Sequence, residues 1–323
     1  MTPLGKGEWF GGRTNGLILS FTLLFCVLAI GSPTFLSAYT MFVLERQVAF
    51  YVLIASAQAV CLVVGGMNLS VGGIGSLATV ILGLSLDTGK LSPWLAVPLT
   101  LVFGVASGFA NGWLITRLRI DSFIVTLSMM FLFMGLRSGI SGGQPYTVPE
   151  SFTFLGQGRV LGVPWVFLIA LLLLAALSIM FRNTVFGRRL IATGSNVNAA
   201  RLAGIPTDRV IVLANGLSGL LAALAAVLWA SQLGSATPET GDSWLIVSFA
   251  VAIIGGTGLN GGVISAFGLL LGSAVFLLIK HGLVELKADP YFANAFLGAL
   301  ILLTVVLDRV RELCSRQHRP GDS

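Results

Sequence analysis

The sequence predicts an all-α integral membrane protein, and three observations carry that prediction. Of 323 residues, 55% are hydrophobic and only 10% are Asp, Glu, Lys or Arg, against about 25% charged in an ordinary soluble domain. The mean hydropathy of +0.93 means more apolar surface than one water-soluble core buries, so most of it must face lipid. Third, apolar runs recur at about the length that crosses a hydrocarbon core, roughly 20 residues.

About ten such runs follow one another, each read as a transmembrane helix. Leu17–Gly31 follows Arg13 and lacks a small-x-small cleavage site, so it reads as the first helix rather than as a cleaved signal. Val48–Gly66 and Val71–Leu86 are separated by a short glycine-rich break. Trp94–Thr116 stops against Arg117 and Arg119, and Phe123–Ile140 comes next. Pro164–Phe181 stops at Arg182, and Val210–Ser231 starts after Arg209. Trp244–Gly255 and Ile264–Lys280 flank a second glycine-rich break, and Tyr291–Leu307 precedes a basic tail. Several runs are shorter than a full crossing, and the short ones abut the glycine-rich breaks.

An even number of spans places both termini on one side, and the basic residues name that side. Most of the 19 Lys and Arg residues fall in the N-terminal segment, at Arg117 and Arg119, between Arg182 and Arg209, and in the tail. Those segments are expected in the cytoplasm. The chain divides into a cytoplasmic segment 1–16, one membrane domain 17–307 with a cytoplasmic loop 182–209, and a tail 308–323 suited to acidic lipid headgroups.

Composition also excludes chemistry. Two His and three Cys supply neither a zinc ligand set nor a disulfide framework, and no catalytic residue or metal ligand is assigned. Cys26 and Cys61 read as small apolar fillers, with Cys314 a free thiol in the tail. The net charge of +6 is dispersed between apolar runs rather than gathered into a stripe, which argues against nucleic acid as a partner. The nearest approach to a phosphate loop, Gly83 to Gly89-Lys90, has the wrong spacing and Leu91 where a hydroxyl is required. All 13 acidic residues fall in or beside connecting segments, so nothing supports an ion-coupled carrier.

Two segments carry information. Between Arg182 and Arg209, Ser195 or Asn196 can cap a two-turn helix built from Ala199, Ala200, Leu202 and Ala203, and Gly204 before Pro206 stops it. Its small side chains admit close approach by another protein, with Arg188, Arg189 and Arg201 offering charge; a plain connector between spans is the competing reading. The second segment is Gly65-Gly66-Met67-Asn68-Leu69-Ser70-Val71-Gly72-Gly73. Its glycines allow non-helical backbone, which membrane depth tolerates only beside protein or a watery cavity. Asn68 and Ser70 then serve the freed backbone or a polyhydroxylated solute, and a tight turn is the competing reading. Gly255-Gly256-Thr257-Gly258-Leu259-Asn260-Gly261-Gly262 echoes this segment, with Gly65 opposite Gly255, as in an internally duplicated transporter. Gly104, Gly108 and Gly112 have the spacing of close helix packing.

Taken in order, these stretches resemble the membrane permease subunits of ribose-type ABC importers over about Val48 to Leu307. The resemblance rests on Gly65-Gly66-Met67-Asn68-Leu69-Ser70-Val71-Gly72, Ser122-Phe123-Ile124-Val125-Thr126-Leu127, Leu136-Arg137-Ser138-Gly139, Phe186-Gly187 with Gly194-Ser195-Asn196, and Gly255-Gly256-Thr257. It implies a permease without chemistry or cofactor of its own, in the bacterial inner membrane. The implied partners are a second permease chain, a cytoplasmic ATPase that holds ATP and Mg, and a periplasmic sugar-binding protein. By the same resemblance Gly65, Gly66, Asn68, Ser70 and Gly72 lie near the translocation path, and Asn198, Ala199, Ala200, Arg201, Leu202 and Gly204 form the segment that docks on the ATPase. The family's usual acidic residues are replaced here by Asn68 and Asn198. Arg137 matches a family arginine and is expected to snorkel to the interface. The solute is left open between a monosaccharide and a nucleoside, a branched-chain amino acid or a signalling furanone, and a stand-alone facilitator is the competing class.

Overall fold

The computed structural model describes residues 8–285 and, beyond them, Ala295, Gly298, Ala299 and Leu302. Apart from those four residues, the expected last span Tyr291–Leu307 and the tail 308–323 lie outside the described residues. In chain order come α1 (Glu8–Gly31), α2 (Ala38–Val63), α3 (Val71–Leu86), α4 (Pro93–Leu118), α5 (Ser122–Ser141), α6 (Glu150–Gln157), α7 (Trp165–Asn183), α8 (Val185–Ser195), α9 (Val197–Leu202), α10 (Thr207–Leu233), α11 (Trp244–Ile254) and α12 (Ala266–Glu285). Two antiparallel strand pairs join connecting segments: β1 (Tyr146–Thr147) with β4 (Ser235–Ala236), and β2 (Arg159–Val160) with β3 (Val163–Pro164).

Six of these helices, α2, α4, α5, α7, α10 and α12, are long and apolar enough to cross a membrane. The expected count of about ten is not reached among the described residues: α3 and α11 abut the glycine-rich breaks and are short, the apolar part of α1 is Asn15–Gly31, and the tenth expected run falls largely outside the described residues. α3 has 16 residues, and α11 has 11, about 16 Å of axis or half a hydrocarbon core. Other boundaries move as well. α2 begins at Ala38, capped by Ser37 Oγ accepting from Thr40 N–H at 3.2 Å, so Glu45 and Arg46 lie inside the helix rather than before it. The single helix expected between Arg182 and Arg209 is two, α8 and α9, and Asn196 rather than Ser195 caps the second, accepting from Ala199 N–H at 3.0 Å.

The core is the far half of α2, where every residue from Ala49 to Val63 is buried. α10, α11, α7 and α12 surround it. α4, α5 and α7 bury under a third of their most apolar stretches and leave the rest to lipid. Between apolar helices in lipid, close backbone approach replaces the hydrophobic effect as the packing force. The α4–α10 seam shows this: a Cβ on Gly104 would strike Gly219 and Ala223, one on Gly108 would strike Asn215 and Gly216, and one on Gly112 would strike Val212. The four-residue glycine spacing seen in the sequence is therefore a packing device.

Candidate functional site

The α2–α3 break is built by a helix-ending turn in which Gly65 takes a left-handed φ of 81°. Gly66 N–H reaches Cys61 O at 3.1 Å and Gly65 N–H reaches Leu62 O at 2.9 Å, the Schellman pattern that only a residue without Cβ closes cheaply. The second break repeats it: Gly256 has φ 82°, Thr257 N–H reaches Ala252 O at 2.9 Å, and Gly256 N–H reaches Ile253 O at 2.9 Å. The structural partner of Gly65 is thus Gly256, not Gly255, so the echo is shifted by one residue from the sequence alignment. Hydrogen bonding, not residue identity, sets that register.

Beyond the turn, Asn68 and Ser70 are wholly buried. Asn68 Oδ1 accepts from Ser70 N–H at 3.0 Å and from Ser70 Oγ–H at 2.7 Å, while its Nδ2 donates to Ser218 Oγ of α10 at 2.9 Å. Ser70 Oγ in turn accepts from Asn111 Nδ2 of α4 at 2.7 Å. The freed backbone is satisfied by α5: Met67 N–H donates to Ser122 Oγ, and Leu69 N–H to Thr126 Oγ1, each at 3.1 Å. Two stretches that stood out separately in the sequence, Gly65–Gly72 and Ser122–Leu127, are therefore two sides of one contact. Asn111 and Ser218 were not legible, since each is an isolated polar residue on a long apolar helix. In this conformation Asn68 and Ser70 are spent on each other, on Asn111 of α4 and on Ser218 of α10, and neither presents a polar atom to a solute.

The network is also compatible with a carboxylate at position 68. The atom that organises the turn is Oδ1, which a carboxylate also supplies, and Ser218 can donate where it now accepts. Asn68→Leu strips Ser70 and Ser218 of partners; at about 1–3 kcal/mol per stranded buried group, a loss of about 2–4 kcal/mol is expected. A lowered thermal transition of the detergent-purified variant checks this, with Asn68→Asp expected to stay near the parent.

A second polar segment follows β4 and packs along α3. From Ala236 the chain runs along α3: Gly83 packs on Ala236 and Tyr146, Gly75 on the Trp244 ring, and Gly72 on the Gly241 backbone. Eleven residues of helix separate Gly83 from Gly72, about 16 Å, so residues 236–241 descend into the bundle. Arg137, expected to snorkel, is instead buried; its Nη1 donates to Pro238 O at 2.6 Å and pairs with the half-exposed Asp242 carboxylate. Arg137 lies about one turn before the end of α5, and the descending segment supplies it there with an acceptor and a counter-charge.

The third site is the face carrying α9. Ala200 is buried, while Asn198, Ala199 and Gly204 are exposed and Leu202 is 92% exposed. Arg201 is turned back on its own connection, Nε donating to Thr207 Oγ1 at 2.8 Å and Nη2 pairing with Asp208 at 2.9 Å. Gly204, at φ 78°, ends the helix with Ile205 N–H on Ala200 O at 3.0 Å. One turn back, Gly194 at the end of α8 lies against the Val63 carbonyl and the Gly261 and Gly262 backbone, and Gly262 N–H donates to Val63 O at 2.9 Å. The segment before α9 thus touches both glycine-rich breaks at one backbone junction.

Comparison with known proteins agrees with this architecture. A family model described as branched-chain amino acid transport system / permease component matches residues 40–305. The ribose import permease protein of Bacillus subtilis (strain 168) is 35% identical over 297 residues, 91% of this chain and 92% of that one. An autoinducer 2 import system permease protein of Photorhabdus luminescens is 30% identical over 299 residues, 92% and 90% of the two chains. The ribose import permease protein of Escherichia coli (strain K12) is 29% identical over 305 residues, 91% and 93%. With the match spanning most of its length and its helices, the chain belongs to the branched-chain amino acid transport system / permease component family and is a transport component rather than an enzyme.

Proposed function

We propose that this chain is the transmembrane permease subunit of an ABC importer for a monosaccharide. The solute is delivered by a periplasmic binding protein, and ATP and Mg are held by a separate ATPase. The observation that carries the reading is α9: a short capped helix that turns Leu202, Asn198 and Ala199 to solvent and is backed by a junction with both membrane breaks. A plain connector needs neither an exposed leucine nor a backbone contact with Val63. In this reading α9 faces the cytoplasm, with both termini, and Asn198, Ala199, Ala200, Arg201, Leu202 and Gly204 form the ATPase dock. The break with Gly65, Gly66, Asn68, Ser70 and Gly72 frames the wall of the path, its polar side chains holding the wall rather than the solute. A second permease chain completes the membrane unit. The autoinducer 2 permeases among the relatives favour a second reading for the solute alone, a signalling furanone.

Mild-detergent purification from native membranes tests this, with an ATPase subunit expected in equal copy number. Gly204→Val puts a β-branched residue at φ 78°, a conformation costing about 1–3 kcal/mol outside glycine. It is expected to unwind the end of α9 and cut ATPase recovery at least tenfold, while the chain still inserts. A chain that purifies alone and carries solute in liposomes without ATPase would refute the importer reading.

A further inference from the structure

The descending segment has a property the wall of buried hydrogen bonds lacks: it shows polar groups outward. Glu239, Asp242 and Ser243 are exposed although Pro238, Thr240, Gly241 and Trp244 around them are buried. On the α11 that follows, the apolar Ile246 is the one exposed residue, while Val247, Ser248, Ala250 and Val251 face the bundle. Gly241 lies beside Gly72, at the start of α3 and about 21 Å of helix from Leu86. Carboxylates on or beside a single 3-10 turn, Pro238–Gly241, at that depth do not face hydrocarbon; such groups are tolerated where protein buries them or where they line a water-filled cavity. Here the exposed side is the polar one. Behind it the buried Arg137 guanidinium fixes both the Pro238 carbonyl and the Asp242 carboxylate.

We infer that residues 239–243 line a hydrated solute path, with Asp242 offered to the hydroxyls of a polyhydroxylated, uncharged solute and Arg137 as the residue that positions it. The carboxylate accepts hydrogen bonds from hydroxyl groups, and its charge is balanced from behind, so a neutral solute passes without a deep charge trap. The inference rests on the importer reading for the solute's chemistry, but not for the hydration of the path.

Two measurements separate these. In a background without cysteine, Ser243→Cys and Glu239→Cys in nanodisc-embedded protein are treated with a charged methanethiosulfonate reagent, and modification is read by intact mass. Labelling at least tenfold faster than at Ile179→Cys, an exposed apolar position on α7, is expected; rates no faster than at Ile179→Cys overturn the path. Arg137→Met is expected to change the Ser243→Cys rate at least fivefold, with Arg137→Lys restoring it. Unchanged rates in both would remove Arg137 as the positioning residue. In the assembled transporter, Asp242→Asn is expected to lower uptake at least tenfold with the ATPase still bound, and parental uptake would remove Asp242 from solute contact. If the wild-type chain binds no ATPase, the importer reading fails while the labelling result still stands or falls alone.

Discussion

Valine at position 194 is expected to abolish uptake while leaving the chain inserted and monodisperse. A Cβ on Gly194 would overlap the Val63 carbonyl oxygen and sit 2.7 Å from Gly262 N. Both groups are backbone, so no rotamer change relieves the clash. The end of α8 must instead back away from α2, which breaks the Gly262 N–H to Val63 O bond and separates α9 from both glycine-rich breaks. Overpacking of this kind costs about 1–3 kcal/mol; the bundle tolerates that, because α8 contributes few of the buried groups around α2. On the proposed importer reading, coupling through α9 is expected not to tolerate it. Uptake by reconstituted transporter, set against size-exclusion profile and ATPase recovery, checks the prediction. Normal uptake by the valine variant would show that the junction is not on the coupling route.

Leucine at position 108 is expected to do the opposite, destroying the fold and function together. Gly108 meets the Asn215 carbonyl and the Gly216 Cα at the centre of the α4–α10 seam, and α10 also holds Ser218, the partner of Asn68. Spreading the seam by a side chain removes van der Waals contact along both helices and pulls on the hydrogen bonds of the α2–α3 break. Little or no monodisperse chain is expected after extraction. The contrast is Gly135 on α5, where a Cβ meets nothing within 4 Å; Gly135→Ala is expected to be neutral or to stabilise by about 0.5–1 kcal/mol through helix propensity. Equal behaviour of the two variants in fluorescence-detected size exclusion would refute the packing argument.

Both predictions concern glycines, and the sequence treats all glycines alike. Spacing distinguished Gly104, Gly108 and Gly112 as a packing stripe, because a four-residue repeat on an apolar helix has one physical use there. Spacing could not distinguish Gly65 from Gly66, nor Gly255 from Gly256. Which member of each pair turns left-handed depends on where the preceding helix stops, and that is decided by its packing. In the same way, Asn68 and Ser70 stood out as polar residues in a break, but their partners Asn111 and Ser218 did not.

By itself the sequence determined that this protein lives in a membrane, where its helices break, which short helix is displayed outside the bundle, and that it lacks the residues for chemistry. These follow from composition, run length and local turn preferences, all of which act between neighbours in the chain. Only the tertiary structure decided that the polar break is sealed by three other helices, that residues 236–241 run down α3, and that Arg137 is buried against Asp242 rather than snorkelling. Those outcomes depend on which helices approach one another, and in lipid, where every apolar face is equally content, that choice rests on shape and hydrogen bonds between residues far apart in the chain.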